Sequence, residues 1–401
     1  MGCLFDVIAA HAHRQPEALA LQGDVQSLSY AGLLERVGQF ECGLIRTQCT
    51  KFGLLADNSI DWVLADLATL KGNLLMVPLP PFFSPQQLQH AIHNSGLEAI
   101  LTDQPARVEA LLQGQCRRID APFAGSLALL QLTVAGEVAA MPAHTAKITY
   151  TSGTTGQPKG VCLSRVAMET VAQSLCQASG ATAADRHLCL LPLSTLLENI
   201  GGIYVPLLAG ACACVLPLRK VGLSGAAALE VRTLLHAMYA QRATTAIMVP
   251  QMLHALVAAL ATGVTTPAEL RFIAVGGAPV SPRLLAQARH VGLPVFEGYG
   301  LSECASVVAV NTPMDNRPGC VGKPLAHVTL KFAEDGEILV GGAIFEGYLG
   351  LAEHPDDDGL WATGDIGYLD EQGYLHLTGR KKICLSPRLA AMLRRNGWKV
   401  S

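Results

Sequence analysis

Residues Tyr150–Val161 read YTSGTTGQPKGV. From Thr151 to Gly160, ten residues hold three glycines, four hydroxyl side chains and one lysine, with no acidic or large apolar side chain. Such a stretch adds nothing to a hydrophobic core. Glycines let backbone N–H groups approach an anion, hydroxyls add donors and a lysine adds charge, so the composition points to a phosphate. The loop follows the strand-like run KITY and leads into another, VCLS, so it lies between two strands. A Walker loop needs GxxxxGK, then Ser or Thr, then a helix. Here Gly153 and Gly156 stand too close and Lys159 is followed by Gly160, so that reading fails while the phosphate chemistry survives.

Outward from the loop, helical and strand patterns alternate. SYAGLLERVGQFECGLI has apolar residues at helical spacing and FGLLA reads as a short buried strand. SIDWVLADLATLKG reads as a helix with Ser59 as N-cap and Gly72 past its end. LLMVPLP is a strand stopped by prolines, and SPQQLQHAIHNSG is a Ser-capped helix with Pro85 at its first position. Strands alternating with helices imply parallel sheets covered on both faces, hence an α/β body. From about Gly319 the texture changes to short strands, GEILVGG and GYLHLTGR, with turn signals such as EDGE and DEQG between them. A small β-rich lobe, about residues 315–380, is expected there.

The chain has 401 residues, half of them hydrophobic and 15% charged, so it is globular. A net charge of −3 gives no electrostatic reason to expect nucleic acid. The twelve cysteines contain no CxxC; their one close pair is Cys212-Ala-Cys214. Buried free thiols and a reducing compartment follow, with the cytoplasm as the expected location and peripheral membrane contact left open. The opening MGCLFDVIAAHAHRQ lacks the basic region of a signal peptide, and Asp6 argues against myristoylation at Gly2. Two charge-free stretches, Asn199 to Leu218 and Ala243 to Ala268, could span a bilayer by length. Pro and Gly interrupt both, so buried strand-and-helix segments are expected and no transmembrane span.

Three further motifs follow in order. RFIAVGGAPVSPRLLAQARHVG is a strand, a glycine turn and a helix capped by Ser281. Ligands bind at such strand ends in open α/β sheets. FEGYGLSECASVV sets Glu303 in a run of small and apolar residues. WATGDIGYLDEQGYLHLTGR places Asp365 in a Gly-flanked bend and Arg380 at the end of a strand. With YTSGTTGQPKGV, these motifs resemble the adenylate-forming superfamily of AMP-dependent synthetases and ligases. The form closest to this chain is that of the long-chain acyl-CoA synthetases. The resemblance runs from LFDVIAAHAHRQPEALAL to Lys382 and implies an acyl-CoA synthetase-like fold: two parallel-sheet lobes and a small β-barrel-like lobe.

The resemblance also implies roles. Thr151, Ser152, Gly153, Thr154, Thr155 and Gly156 would cradle the phosphates of ATP, with Lys159 as their cation. Gly277, Ala278 and Pro279 would border the adenine, with Tyr299 and Gly300 beside it. Ser302 keeps the hydroxyl of a usual threonine. Glu303 would help hold Mg²⁺, a hard ion suited to oxygen. Asp365 would take the ribose hydroxyls, and Arg380 would reach the nucleotide. In LPLSTLLENIGGIYVPLLAGA, Glu198 fits the long-chain form, whereas Thr195 stands where a histidine is usual; both are candidate substrate contacts. The implied reaction forms an acyl-adenylate from a carboxylic acid, here a medium- or long-chain fatty acid, and then transfers the acyl group to a thiol, usually that of CoA.

Residues 1–380 would form the adenylation core and 381–401 an altered hinge and short basic tail. After GRKK an acidic residue is usual; Ile383 stands there, and no counterpart of the family's lysine-bearing C-terminal domain follows. A separately encoded C-terminal domain is therefore an expected partner. A carrier protein loaded by an acyl-AMP ligase, and a non-catalytic nucleotide-binding remnant, are the alternatives.

Overall fold

The computed structural model describes residues 3–133, 139–151, 157–224 and 228–381. Two large sheets form the body. In the nine-stranded sheet the order is Lys323–Pro324, Ala309–Val310, Val295–Tyr299, Phe272–Val275, Thr245–Met248, Arg186–Leu188, Cys212–Cys214, Leu19–Gln22, Ser27–Ser29. The strands from Val295–Tyr299 to Leu19–Gln22 run parallel, and antiparallel strands finish both edges. The eight-stranded sheet has a parallel centre of Thr145–Thr151, Leu75–Pro78, Lys51–Leu55 and Ala99–Thr102. A separate antiparallel sheet joins Thr329–Phe332, Glu337–Gly341, Leu360–Leu369 and Leu375–Arg380. This is the α/β body with a β lobe that the alternating patterns implied.

Local chemistry sets the helix starts. Ser59 accepts a hydrogen bond from the Trp62 amide at the head of Ile60–Lys71, and Ser84 builds a capping box with Gln87 at the head of Pro85–Asn94. Each such cap is worth about 1 kcal/mol. Ile60–Lys71 is buried on every face except at its last residue. Trp62, Phe40, Phe52 and Tyr204 belong to the largest core cluster, and each is almost wholly buried. Burying a large apolar side chain contributes roughly 1.5–3 kcal/mol, so this cluster is a principal source of stability.

The charge-free stretches are cut as the prolines and glycines required. The first gives a wide turn at Asn199–Tyr204, a short helix at Val205–Ala209 and the strand Cys212–Cys214; the second gives the strand Thr245–Met248 and the helix Pro250–Leu260. No described helix is long and apolar enough to cross a membrane.

One expectation is corrected. Asp365 lies within the ten-residue strand Leu360–Leu369 rather than in a bend. Gly364 takes a φ of +75° and the pairing register slips between Ile366 and Gly367, so the motif's glycines irregularise the strand without ending it. The hinge at Ile383 and the basic tail lie outside the described residues.

Candidate active site

A cavity of about 250 Å³ runs beside the parallel strands of the nine-stranded sheet. Asp185, Thr245 and Arg271 line it where strands begin; Val249, Gly277 and Gly300 line it just past where strands end. The six steps from Arg271 to Gly277 make this path roughly 20 Å long. Its walls are largely apolar, with Leu191, Leu196, Ile247, Phe272, Val275 and Val307 among them. Gly277, Tyr299, Gly300 and Ser302, expected at the nucleotide, all line its carboxyl-end portion. Gly277 adopts a φ of +78°, and it forms with Ala278 and Pro279 an exposed turn before the helix Pro282–His290.

Two tyrosine–carboxylate pairs organise the region beside this opening. The Tyr299 hydroxyl donates to Asp365 Oδ2 at 2.7 Å. Arg380 pairs with Asp365 across the strands and sets its Nε 3.6 Å from Oδ1, while remaining largely exposed. The Tyr348 hydroxyl donates to Glu303 Oε1 at 2.5 Å. Burial pushes both phenols well above the ordinary tyrosine value, and the adjoining carboxylate adds to the shift in each case. Both phenols therefore stay protonated at neutral pH and serve as donors to these carboxylates.

Tyr348 also joins Glu303 to the phosphate loop. Gly347–Tyr348 pairs antiparallel with Lys159–Ser164, and Lys159 Nζ lies 4.8 Å over the Tyr348 ring. Phe345, Tyr348 and Trp361 form a three-ring edge-to-face cluster that fixes the phenol. Lys159 makes a 2.7 Å ion pair with Glu353, both side chains being substantially exposed. Such a pair is worth about 1 kcal/mol at most, so a phosphate can take the lysine from it cheaply. Thr151 sits opposite Lys159 at the base of the loop. Ser152, Gly153, Thr154, Thr155 and Gly156 lie outside the described residues.

The two substrate candidates part company. Thr195 lines the cavity. Glu198 is fully buried behind the wall, accepting from His187 Nε2 at 3.1 Å and from the Leu191 amide at 3.0 Å. His187, which the motif reading passed over, is the side chain of that pair lining the cavity. Its Nδ1 bonds Thr245 at 2.9 Å. His187, Cys189 and Glu198 bring ligand atoms within 4.8 Å of one another, but the imidazole and carboxylate are already spent on partners, so the group reads as a structural knot. Also missed was a buried network below the loop. Lys147 pairs with Asp66 at 2.7 Å, and Asn199 and Tyr204 both bond to that carboxylate. A lysine three residues before a tyrosine in a strand carries no signal of this kind without the partner's position.

Glu303 suits a hard cation. One carboxylate oxygen is held by Tyr348, and the other has no hydrogen-bond partner among the described residues. Asp365 offers an anchored acceptor, and the loop strand brings Lys159 beside Tyr348. A model of the family described as AMP-binding enzyme matches residues 8–349. The chain belongs to the AMP-binding enzyme family. Over 111 residues, 27% of this AMP-binding chain and 18% of the relative, it is 46% identical to the long-chain-fatty-acid–CoA ligase FadD15 of Mycobacterium bovis. Over 251 residues, 59% of this chain and 49% of the relative, it is 32% identical to the 2-succinylbenzoate–CoA ligase of Enterococcus faecalis. In these matches the chain spans half or less of the curated relatives' length. Its fold matches that of o-succinylbenzoate coenzyme A synthetase (MenE) from Bacillus subtilis in complex with ATP and magnesium ion. That match has a TM-score of 0.77 and 26% identity, and covers 95% of this chain and 80% of that one.

Proposed function

We propose that this AMP-binding chain activates a carboxylic acid with ATP and Mg²⁺. A carboxylate oxygen attacks the α-phosphorus, the bond to the bridging oxygen breaks, and acyl-adenylate and pyrophosphate form. CoA is the proposed acceptor, its sulfur displacing AMP. The observation that carries this reading is one continuous site. The apolar cavity ends on Gly277, Tyr299, Gly300 and Ser302, and Tyr299 is bonded to Asp365.

Each residue has a task that its surroundings support. Glu303, with one oxygen held by Tyr348, would hold Mg²⁺, which offsets phosphate charge when bound. Lys159 would exchange Glu353 for a phosphate oxygen. Thr151, Ser152, Gly153, Thr154, Thr155 and Gly156 would supply loop donors. Asp365 would accept from the ribose hydroxyls with Arg380 beside it, and Ala278 and Pro279 would flank the base. Positioning and charge neutralisation are the main sources of rate in phosphoryl chemistry. Thr195 would border the substrate, and Glu198 would act through His187 rather than by contact.

The apolar walls favour a medium- or long-chain fatty acid, and we place the enzyme in the cytoplasm. The test is acid-dependent exchange of labelled pyrophosphate into ATP over a panel of fatty acids and 2-succinylbenzoate, with and without CoA. Exchange greatest with decanoate to palmitate supports the reading. Exchange confined to 2-succinylbenzoate would replace the substrate, and transfer only to a carrier protein would replace the acceptor. No exchange with any acid would overturn the activity.

A further inference from the structure

Asp365 sits where the four-stranded sheet departs from its regular ladder. Glu337 pairs with Ile366, and Leu339 pairs with Ala362. Ile338 alone therefore faces Thr363, Gly364 and Asp365, so the strand Leu360–Leu369 bulges at this point. A bulge takes residues out of the ladder and re-aims the side chains they carry.

The backbone groups of the bulge find their partners elsewhere, as buried amides and carbonyls must. Thr363 Oγ1 donates to Ile338 O at 2.9 Å and accepts from the Asp365 amide at 3.1 Å. The Lys381 amide donates to Gly364 O at 2.7 Å. Glu337 serves the Gly364 amide, which donates to its Oε1 at 2.9 Å. The other Glu337 oxygen accepts from Lys381 Nζ at 2.8 Å, and Lys381 also pairs with Asp335 at 2.7 Å. The Glu337 side chain is only 12% exposed, so it is packed into the sheet rather than waving from it. Gly364 takes a φ of +75°, and glycine is the least constrained of residues, so the peptide leading into Asp365 depends on such bonds for its direction.

We propose that Glu337 is a positioning residue for the nucleotide site: by holding the Gly364 amide it sets the peptide that carries Asp365, and so aims that carboxylate at the ribose hydroxyls. This inference rests on the role proposed above for Asp365. Tyr299 and Arg380 approach Asp365 at its carboxylate oxygens, whereas Glu337 fixes the backbone beneath it. Glu337 acts through Gly364 and touches no substrate.

The test compares MgATP with the magnesium complex of 2′,3′-dideoxy-ATP, which lacks the ribose hydroxyls, by titration calorimetry on the full chain. The wild type should bind MgATP about tenfold or more tightly than the dideoxy nucleotide. Glu337→Ala should weaken MgATP about fivefold or more and leave the dideoxy nucleotide within about twofold, the pattern expected of Asp365→Ala. Glu337→Gln keeps an oxygen for the Gly364 amide and should hold the wild-type ratio. Glu337→Asp, one methylene shorter, should lose it, and serves where the alanine variant does not fold. A ratio lost in E337A or E337D and kept in E337Q supports the proposal. A lower melting temperature in E337A with an unchanged ratio assigns Glu337 to the stability of the sheet alone and overturns it. E337Q behaving like E337A assigns the effect to the Lys381 ion pair and also overturns it. D365A losing the ratio while E337A and E337D keep it overturns this proposal and leaves the role of Asp365 standing. D365A keeping the ratio overturns both.

Discussion

The Tyr299 phenol donates a 2.7 Å hydrogen bond to Asp365, a residue 66 positions further along the chain. The bond ties the last parallel strand of the body to the four-stranded sheet, and it holds a carboxylate beside the cavity opening. Asp365→Ala should weaken ATP binding by about 1.5–3 kcal/mol, roughly 10- to 150-fold. Tyr299→Phe leaves the carboxylate in place and should cost only about 0.5–1.5 kcal/mol of stability. Titration calorimetry with MgATP, beside urea unfolding, separates the two effects. Equal ATP affinity in wild type and D365A would remove Asp365 from the nucleotide site.

Glu303→Ala should act through the metal. Its ATP affinity should fall by a similar amount in excess Mg²⁺ and change little in excess EDTA. Calorimetry under the two conditions reads the difference. A loss of the same size without metal would assign Glu303 to direct positioning of the loop through Tyr348.

Lys147 is 1% exposed and, among the described residues, only Asp66 balances its charge at ion-pair distance. Burial pulls its pKa down while Asp66 opposes the shift. Lys147→Met should cost about 3–5 kcal/mol because it strands a buried carboxylate. Adding Asp66→Asn should recover a substantial part of that loss. Urea midpoints of the two single mutants and the double mutant give the coupling, and strict additivity would show that the charges do not interact.

Two groups give stability opposite slopes with pH. Burial pushes Glu297 up to about 7 from an ordinary 4.5. Between those values the native state holds a proton that the unfolded state has lost, so stability falls as pH rises through the window. Burial pushes His327 down to about 4 from an ordinary 6.5, so between those values the unfolded state takes a proton that the native state refuses, and stability falls as pH drops. Glu297→Gln should raise the melting temperature by a few degrees at pH 7.5 and leave it unchanged at pH 4. His327→Leu should flatten the acid limb. Melting curves from pH 4 to 8 on both variants check the signs.

Gly201 lines the cavity, and a Cβ there would lie 2.6 Å from Ile247 Cδ1. Gly201→Ala should push Ile247 into the acyl path. Turnover with palmitate should fall about tenfold relative to octanoate, since lost pocket contacts of this size are worth about 1–3 kcal/mol. Competition assays with the two acids read the ratio directly.

Much of this was legible from residue order. Ser59, Ser84 and Ser281 cap their helices because a hydroxyl before a helical period satisfies orphan amides locally. The motif residues Gly277, Tyr299, Gly300 and Ser302 share one wall because successive parallel strands end at one edge. Tyr348 and Asp66 were not legible, because each acts through a partner far away in sequence, Glu303 and Lys147 respectively; His187 was not legible because its strand and the Glu198 turn meet only in the fold. Glu198 fitted its motif by spacing, but spacing does not say on which side of a wall a carboxylate lies.

The short strand Gly347–Tyr348 has a consequence for solubility. It lies along Lys159–Ser164, with the Glu346 and Leu349 amides bonded to Cys162 O and Gly160 O at 2.8 Å each. From Gly160 to Ser164 that neighbouring strand is wholly buried. Were this short segment displaced, the eight-stranded sheet would present an unpaired apolar margin, the kind of surface on which chains stack edge to edge. Tyr348, which holds the candidate metal carboxylate, thus also helps to keep separate molecules apart.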